Sequence, residues 1–261
     1  MADASTAAIA FRNLSDAGTI LASSSLTLTP PATLKDPHIA RKWRGKNGDT
    51  EYIATSALAG FDTVLLRGVN LTEAGTYRVR VSSVDTSGQA GDLYDSGSMT
   101  GLDPIYGTLL VLLPALMTGI VRIDLTEPGA AYIEAGRLFV GPRSQFNINF
   151  AWGWSERWID RSQETESRGG QTYIDEDVTY RCWSMNFEFM SGAFRYGVVQ
   201  DLDRLIGTKA DFLMITNPES DNLGRDSLWG RVKQVSPIVQ PQIYVDALGG
   251  FTKSFEIYER L

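Results

Sequence analysis

The chain carries one histidine and one cysteine, and that scarcity bounds its chemistry. Cys182 has no second thiol for a disulfide, and with His38 it falls short of the ligand set of a structural zinc site. His38 would be the sole imidazole base for a serine or cysteine nucleophile. It stands in KDPHIA, without a nucleophile motif, and is expected at the surface or capping a turn. Carboxylates are plentiful, at 31. Asp175, Glu176 and Asp177, and the loop residues Asn217, Glu219, Asp221 and Asn222, offer calcium oxygens but lack the spacing of a calcium-binding loop, so solvated turns are expected. Glycoside hydrolysis needs two acids about 5 to 10 Å apart across a cleft. Glu156, Asp160, Glu164 and Glu166 sit instead in a polar, glycine-punctuated stretch unsuited to a rigid cleft. The expectation is a protein that is not an enzyme, with no catalytic residue, no metal and no cofactor.

Two groups of residues could recognise a partner. In RKWRGK, Arg41, Lys42, Arg44 and Lys46 surround Trp43, and Trp43 with Arg44 could stack on a sugar face or hold an anion. A tryptophan without a second motif more often packs than binds, so a buried indole with solvated neighbours is the competing expectation. Trp152, Trp154, Trp158, Trp183 and Trp229 all lie in the second half. Strand alternation assigns Trp152, Trp154 and Trp183 to a core or an interface. Trp158 precedes a polar stretch in which an exposed aromatic needs a partner surface. Trp158, Arg161, Arg168 and Tyr173 are therefore the candidate intersubunit residues.

The elements that must position these residues are mostly strands. Leu26 and Leu28 in SSLTLTP, Val64 and Leu66 in DTVLLRG, and Tyr77, Val79 and Val81 in TYRVRVS alternate with period two, as do Val121, Ile123 and Leu125 in IVRIDL. AYIEAGRLFVG adds another strand. LLVLLPALMTGIV, Leu109 to Val121, reads as strand, turn and strand because of Pro114 and Gly119, and is too short to cross a bilayer. These pieces predict an antiparallel sandwich ending near Gly141-Pro142. Beyond it Phe146, Ile148, Phe150, Trp152 and Trp154 alternate as one aromatic face of a strand. Residues 155–180 look like a long hairpin or extended arm. A strand from Arg181 places Trp183, Met185, Phe187 and Phe189 on one side. Phe194, Val198, Leu202 and Leu205 then fall at helical spacing between a Ser191 cap and a Gly207 stop. Strands at 211–215, 228–235 and 251–259 complete the chain.

At 261 residues, 43% hydrophobic and 21% charged, the sequence has room for two folded domains, taken as 1–142 and 143–261. The net charge of -7 disfavours nucleic-acid binding. Both halves share it, with 11 basic and 14 acidic residues before residue 143 and 13 and 17 after. MADASTAAIAFRN lacks the basic start and apolar core of a signal peptide, which fits assembly in a bacterial-type cytoplasm without membrane insertion.

Longer stretches carry a family resemblance. Trp43-Arg44 in RKWRG, VLLRGVNLTEAGTYRVRVSS, LYDSG at 93–97 and IVRIDLTEPGAAYIEAGRLFVGP resemble a discoidin-type, galactose-binding-like jelly roll. WGWSERWIDRSQETESRGGQTYID, the strand-helix-strand pattern after it and the ending KSFEIYERL resemble minor tail or distal-tail proteins of long-tailed bacteriophages. The resemblance implies a mainly β chain: an N-terminal jelly-roll β-sandwich and a C-terminal tail-tube-like β-sandwich with one α-helix. It implies a structural virion protein whose second domain forms a homo-oligomeric ring, hexameric or else trimeric, continuing the tail tube to the baseplate. Tail-tube, tape-measure and baseplate hub proteins would be its partners, and DNA would only pass through the lumen. The alternative is a tail adhesin whose jelly roll binds host carbohydrate.

Overall fold

The computed structural model describes residues 6–100, 102, 107–240 and 250–261. Its strands are, in chain order, β1 (Ala8–Ala10), β2 (Ile20–Ala22), β3 (Trp43–Arg44), β4 (Thr50–Arg67), β5 (Thr76–Ser82), β6 (Tyr94–Asp95), β7 (Thr108–Thr126), β8 (Glu134–Ala135), β9 (Arg137–Gly141), β10 (Arg143–Gln145), β11 (Ser155–Asp160), β12 (Gln163–Glu166), β13 (Thr172–Asp175), β14 (Thr179–Met190), β15 (Phe212–Ile215), β16 (Ser227–Val232) and β17 (Phe251–Glu259). One helix, α1, follows β14 through three contiguous stretches, Gly192–Phe194, a π-helical turn Arg195–Val199, and Gln200–Leu205. The protein is mainly β.

The chain divides into two compact units. The first holds Ala8–Ser144 and Ile215–Ser227; the second holds Met1–Ala7, Gln145–Met214 and Leu228–Arg260. No single cut near residue 142 produces this division, because the 215–227 segment returns to the first unit.

The first unit is an antiparallel sandwich. In β5, Tyr77, Val79 and Val81 are buried, while Arg78 and Arg80 on the opposite face pair with Asp95 and Asp124. Its neighbour β7 buries Val121, Ile123 and Leu125 in the same alternation. The expected turn within Leu109–Val121 is absent: β7 is one strand of 19 residues paired with the 18 residues of β4. Their register shifts between Ala57 and Phe61 and again between Phe61 and Thr63. Pro114, which has no N–H to donate, is exposed near this irregularity, where a ladder tolerates it. Gly119 takes a φ of +143°, and a Cβ there would lie 2.4 Å from the Ser82 carbonyl oxygen. On one side of the irregularity β2 and β5 flank the pair; on the other β9 joins β4 at Thr63–Arg67. Bulged strands bend, so a single strand pair contributes to both walls around Phe61, Leu66, Val79, Leu109, Ile123 and Leu138. SSLTLTP is not a strand: Leu26 and Thr29 form an isolated bridge, and Leu28 is exposed.

In the second unit β15-β16-β17-β14-β11 run side by side within the chain's seven-stranded sheet, with β11 at its edge. The predicted strand through Phe146 to Trp154 does not form. Phe146 and Phe150 instead reach Phe187 of β14 at centroid distances of 3.7 and 6.1 Å, and Trp154 reaches Trp183 at 6.0 Å. Trp152 is fully exposed. In β14, Trp183, Met185 and Phe187 are buried as expected, but Phe189 takes a φ of 57° at a register shift and turns outward while Met190 is buried. The Ser191 side chain caps α1 by accepting from the Phe194 N–H, and Gly207 ends it at φ +52°. The π turn adds a residue to the period, so Val199, Leu202 and Ile206 are buried and Leu205 is exposed.

Candidate functional site

Trp43 is fully buried in the sandwich core, with its Nε1–H donating to the Ser24 carbonyl at 3.0 Å. Its indole offers no face to a sugar, so the Trp43 half of the proposed carbohydrate contact is corrected to a core residue. Arg44 remains partly exposed. It donates to Glu134 at 2.7 Å and lies over the Tyr132 ring at 3.8 Å, while Lys42 reaches the same carboxylate at 2.6 Å. These two cations hold the Glu134 carboxyl below the usual range against the opposing effect of burial. The basic cluster is thus partly spent on an internal acid.

The segment expected as an arm divides in two. Residues 155–160 are β11, paired with β14 in register Trp158↔Arg181, and belong to the sheet. Trp183 Nε1–H donates to Glu156 at 2.6 Å, and Arg157 pairs with Glu256 at 2.6 Å. Beyond them β12 and β13 form a separate two-stranded hairpin whose residues are all exposed. The hairpin carries few apolar side chains, so it buries nothing of its own and stands off the sheet. Arg161 pairs with Asp177 at 3.4 Å at its base, Arg168 lies in its turn, and Tyr173 sits opposite Thr165 with its hydroxyl donating to Gln171 at 3.1 Å. Trp158, Tyr173 and Ile174 are 50%, 57% and 66% exposed.

The first unit also has a cleft of about 630 Å³, a size typical of small-molecule sites. Sequence reasoning missed it because residues from three distant stretches meet there: Glu73 and Tyr77, then Met99, Leu102 and Leu110, and residues 220–225. Buried Tyr77, Leu102 and Leu110 line it together with exposed Glu73, Asp221, Asn222 and Arg225, so its lining carries both signs of charge. Asp221 and Asn222 belong to the loop expected as a solvated turn, and both are exposed. Asn217 instead closes its own turn by accepting from the Glu219 N–H, and Asp226 accepts from Ser220. Among the described residues no three His, Cys, Asp or Glu side chains come together as a metal site. Cys182 is buried, and burial pushes its thiol up despite Arg157. His38 is exposed. No described helix is long and apolar enough to cross a membrane.

Fold and geometry define an antiparallel β-sandwich protein with an outlying hairpin. No protein-family model and no curated protein matches the chain. Solved structures are similar to about half of it. A Ruminococcus gnavus GH29 fucosidase in complex with fucose is 12% identical with a TM-score of 0.42, over 52% of this chain and 28% of its own. The chain therefore spans just over a quarter of that enzyme. The family 32 CBM from C. perfringens NanJ, in complex with galactose, is 11% identical with a TM-score of 0.41, over 52% of this chain and 99% of its own. A chitosan-binding module of Paenibacillus is 19% identical with a TM-score of 0.37, over 50% and 98%.

Proposed function

We propose that the chain is a non-enzymatic assembly subunit of a phage tail tip, in which the second unit builds a homo-oligomeric ring and the first is displayed on it. The observation that carries this reading is the β12–β13 hairpin beside the β11 sheet edge. A free strand edge pairs readily with another chain, and a hairpin without a core of its own gains order only from a partner. The bacteriophage assignment itself rests on the sequence resemblance. Sedimentation of the purified chain at rising concentration tests the reading. A closed oligomer is expected, lost when Gln163 to Thr172 are deleted while the far-ultraviolet spectrum stays unchanged. A chain that remains monomeric at high concentration, or a deletion that assembles normally, overturns it.

A second reading, carbohydrate recognition by the first unit, is favoured by the cleft. Its lining presents hydrogen-bonding side chains beside apolar ones, the pairing that sugars require. A glycan array probed with the full chain tests it: retention on at least one glycan is expected, and a blank array removes it.

A further inference from the structure

We infer that the contact between copies is electrostatic and head-to-tail: the acidic β12–β13 hairpin of one copy seats on a basic row of the second unit's sheet in another copy, where Arg231 and Lys233 stand beside Tyr258. The inference rests on the ring-subunit reading and adds the two surfaces that meet. Residues 160–177 hold six acids against two arginines. Asp160 accepts from the Ser162 N–H and Asp177 takes Arg161. Among the described residues the exposed Glu164, Glu166, Asp175 and Glu176 form no ion pair. Carboxylates concentrated on an outlying hairpin repel one another and draw a cationic surface. In the hairpin ladder Glu164 stands opposite Ile174 and Glu166 opposite Thr172. One face therefore presents two carboxylates, two residues apart, beside an exposed isoleucine.

The second unit's sheet offers the matching pattern. Arg231 of β16 is in register with Tyr258 of β17, Tyr258 with Cys182 of β14, and Cys182 with Arg157 of β11. Lys233, just past β16, holds its ammonium 3.9 Å from the centre of the Tyr258 ring. Arg231 and Lys233 are exposed, and among the described residues neither forms an ion pair. Of the acids on this face, Glu256 is held by Arg157 at 2.6 Å, and Glu188 lies six residues along β14 from Cys182. The two uncompensated cations are two residues apart, as are Glu164 and Glu166, and Ile174 brings apolar area to their aliphatic stems. A contact between two different surfaces leaves every copy with a hairpin and a row to offer, and such pairing closes into a ring where the rotation allows.

Sedimentation of the full chain tests this with two charge reversals, Glu164→Lys with Glu166→Lys on the hairpin, and Arg231→Glu with Lys233→Glu on the row. All four side chains are exposed, so each variant should keep the wild-type melting temperature. Each reversal alone should weaken association at least about a hundredfold, because like charges then face each other. An equimolar mixture of the two variants should assemble again, since every hairpin then finds a row of opposite sign, and so should a chain carrying all four substitutions. An oligomer that survives either reversal, or two variants that stay apart when mixed, overturns this contact and leaves the ring reading standing. A wild-type chain that remains monomeric overturns both.

Discussion

Phe146 lies flat on Phe187, with ring centroids 3.7 Å apart and planes 13° from parallel. The stack joins the irregular segment after β10 to the middle of β14, and Phe194 of α1 closes on it at 4.6 Å. Both Phe146 and Phe187 are buried. Phe146→Ala should therefore cost about 3 to 5 kcal/mol, the range for emptying a buried phenylalanine site. The denaturant midpoint measures it, and a loss below about 1 kcal/mol would contradict the packing.

Trp43 and Arg44 should part company on mutation. Trp43→Ala removes a fully buried side chain and should cost about 3 to 5 kcal/mol, whereas Arg44→Ala loses a solvent-screened pair and should leave the melting temperature nearly unchanged. Thermal melts of the two variants side by side check this. Equal melting temperatures would refute the core position of Trp43.

Asp92 and Asp95 set an acid limit on the first unit. Hydrogen bonds from Ser82 and Ser83 hold Asp92 at about 2, and the Arg78 guanidinium holds Asp95 at about 2. Both values lie below the ordinary aspartate value near 3.9. A folded-state value below the unfolded one contributes stability above the unfolded value, lost as pH falls through the folded one. Stability should thus decline between about pH 4 and pH 2, and Asp92→Asn with Asp95→Asn should flatten that slope. An unchanged slope in the double variant would contradict the assignment.

The hairpin should be the first place a protease enters. Its exposed strands bury too little to offset an ordering cost of about 1 to 2 kcal/mol per residue. Limited trypsin digestion should cut first after Arg168, and oligomer formation should slow that cut. Early cleavage elsewhere would count against a hairpin that orders only on assembly.

Gly119→Ala should cost about 1 to 3 kcal/mol, since its φ of +143° lies where side chains are strained and the new methyl would meet the Ser82 carbonyl. Urea unfolding of the variant reads this directly, and a neutral result would mean that the β7 backbone relaxes locally.

The legible parts of the fold were those whose pattern answers to a single neighbour. TYRVRVS shows its buried face residue by residue, because it lies on a regular ladder with one side inward. FTKSFEIYE was legible as a strand, but its inward face includes Lys253, which is buried against Asp203. Ser191 and Gly207 marked the ends of α1 because capping is local chemistry. Leu109 to Val121 misled because Pro114 and Gly119 read as a turn, and the register of a bulged strand is decided by its partner β4. Phe146 to Trp154 misled differently: side-chain packing on the aromatics of β14 fixed its path, not a ladder of its own. Of the candidate site residues, Trp158, Arg161, Arg168 and Tyr173 could be placed on one segment from the sequence. The cleft could not, since its walls are more than 100 residues apart in the chain.

The return of Ile215–Ser227 to the first unit has a consequence for inheritance. A domain encoded as one uninterrupted block can be exchanged between genomes at a single junction. This one cannot: a recombinant that kept only the first half of the gene would carry the sandwich strands without the loop bearing Asp221 and Asn222. Any exchange that preserves the cleft must carry β11 to β15 along with it, so the hairpin and the cleft travel through descent as one linked cassette.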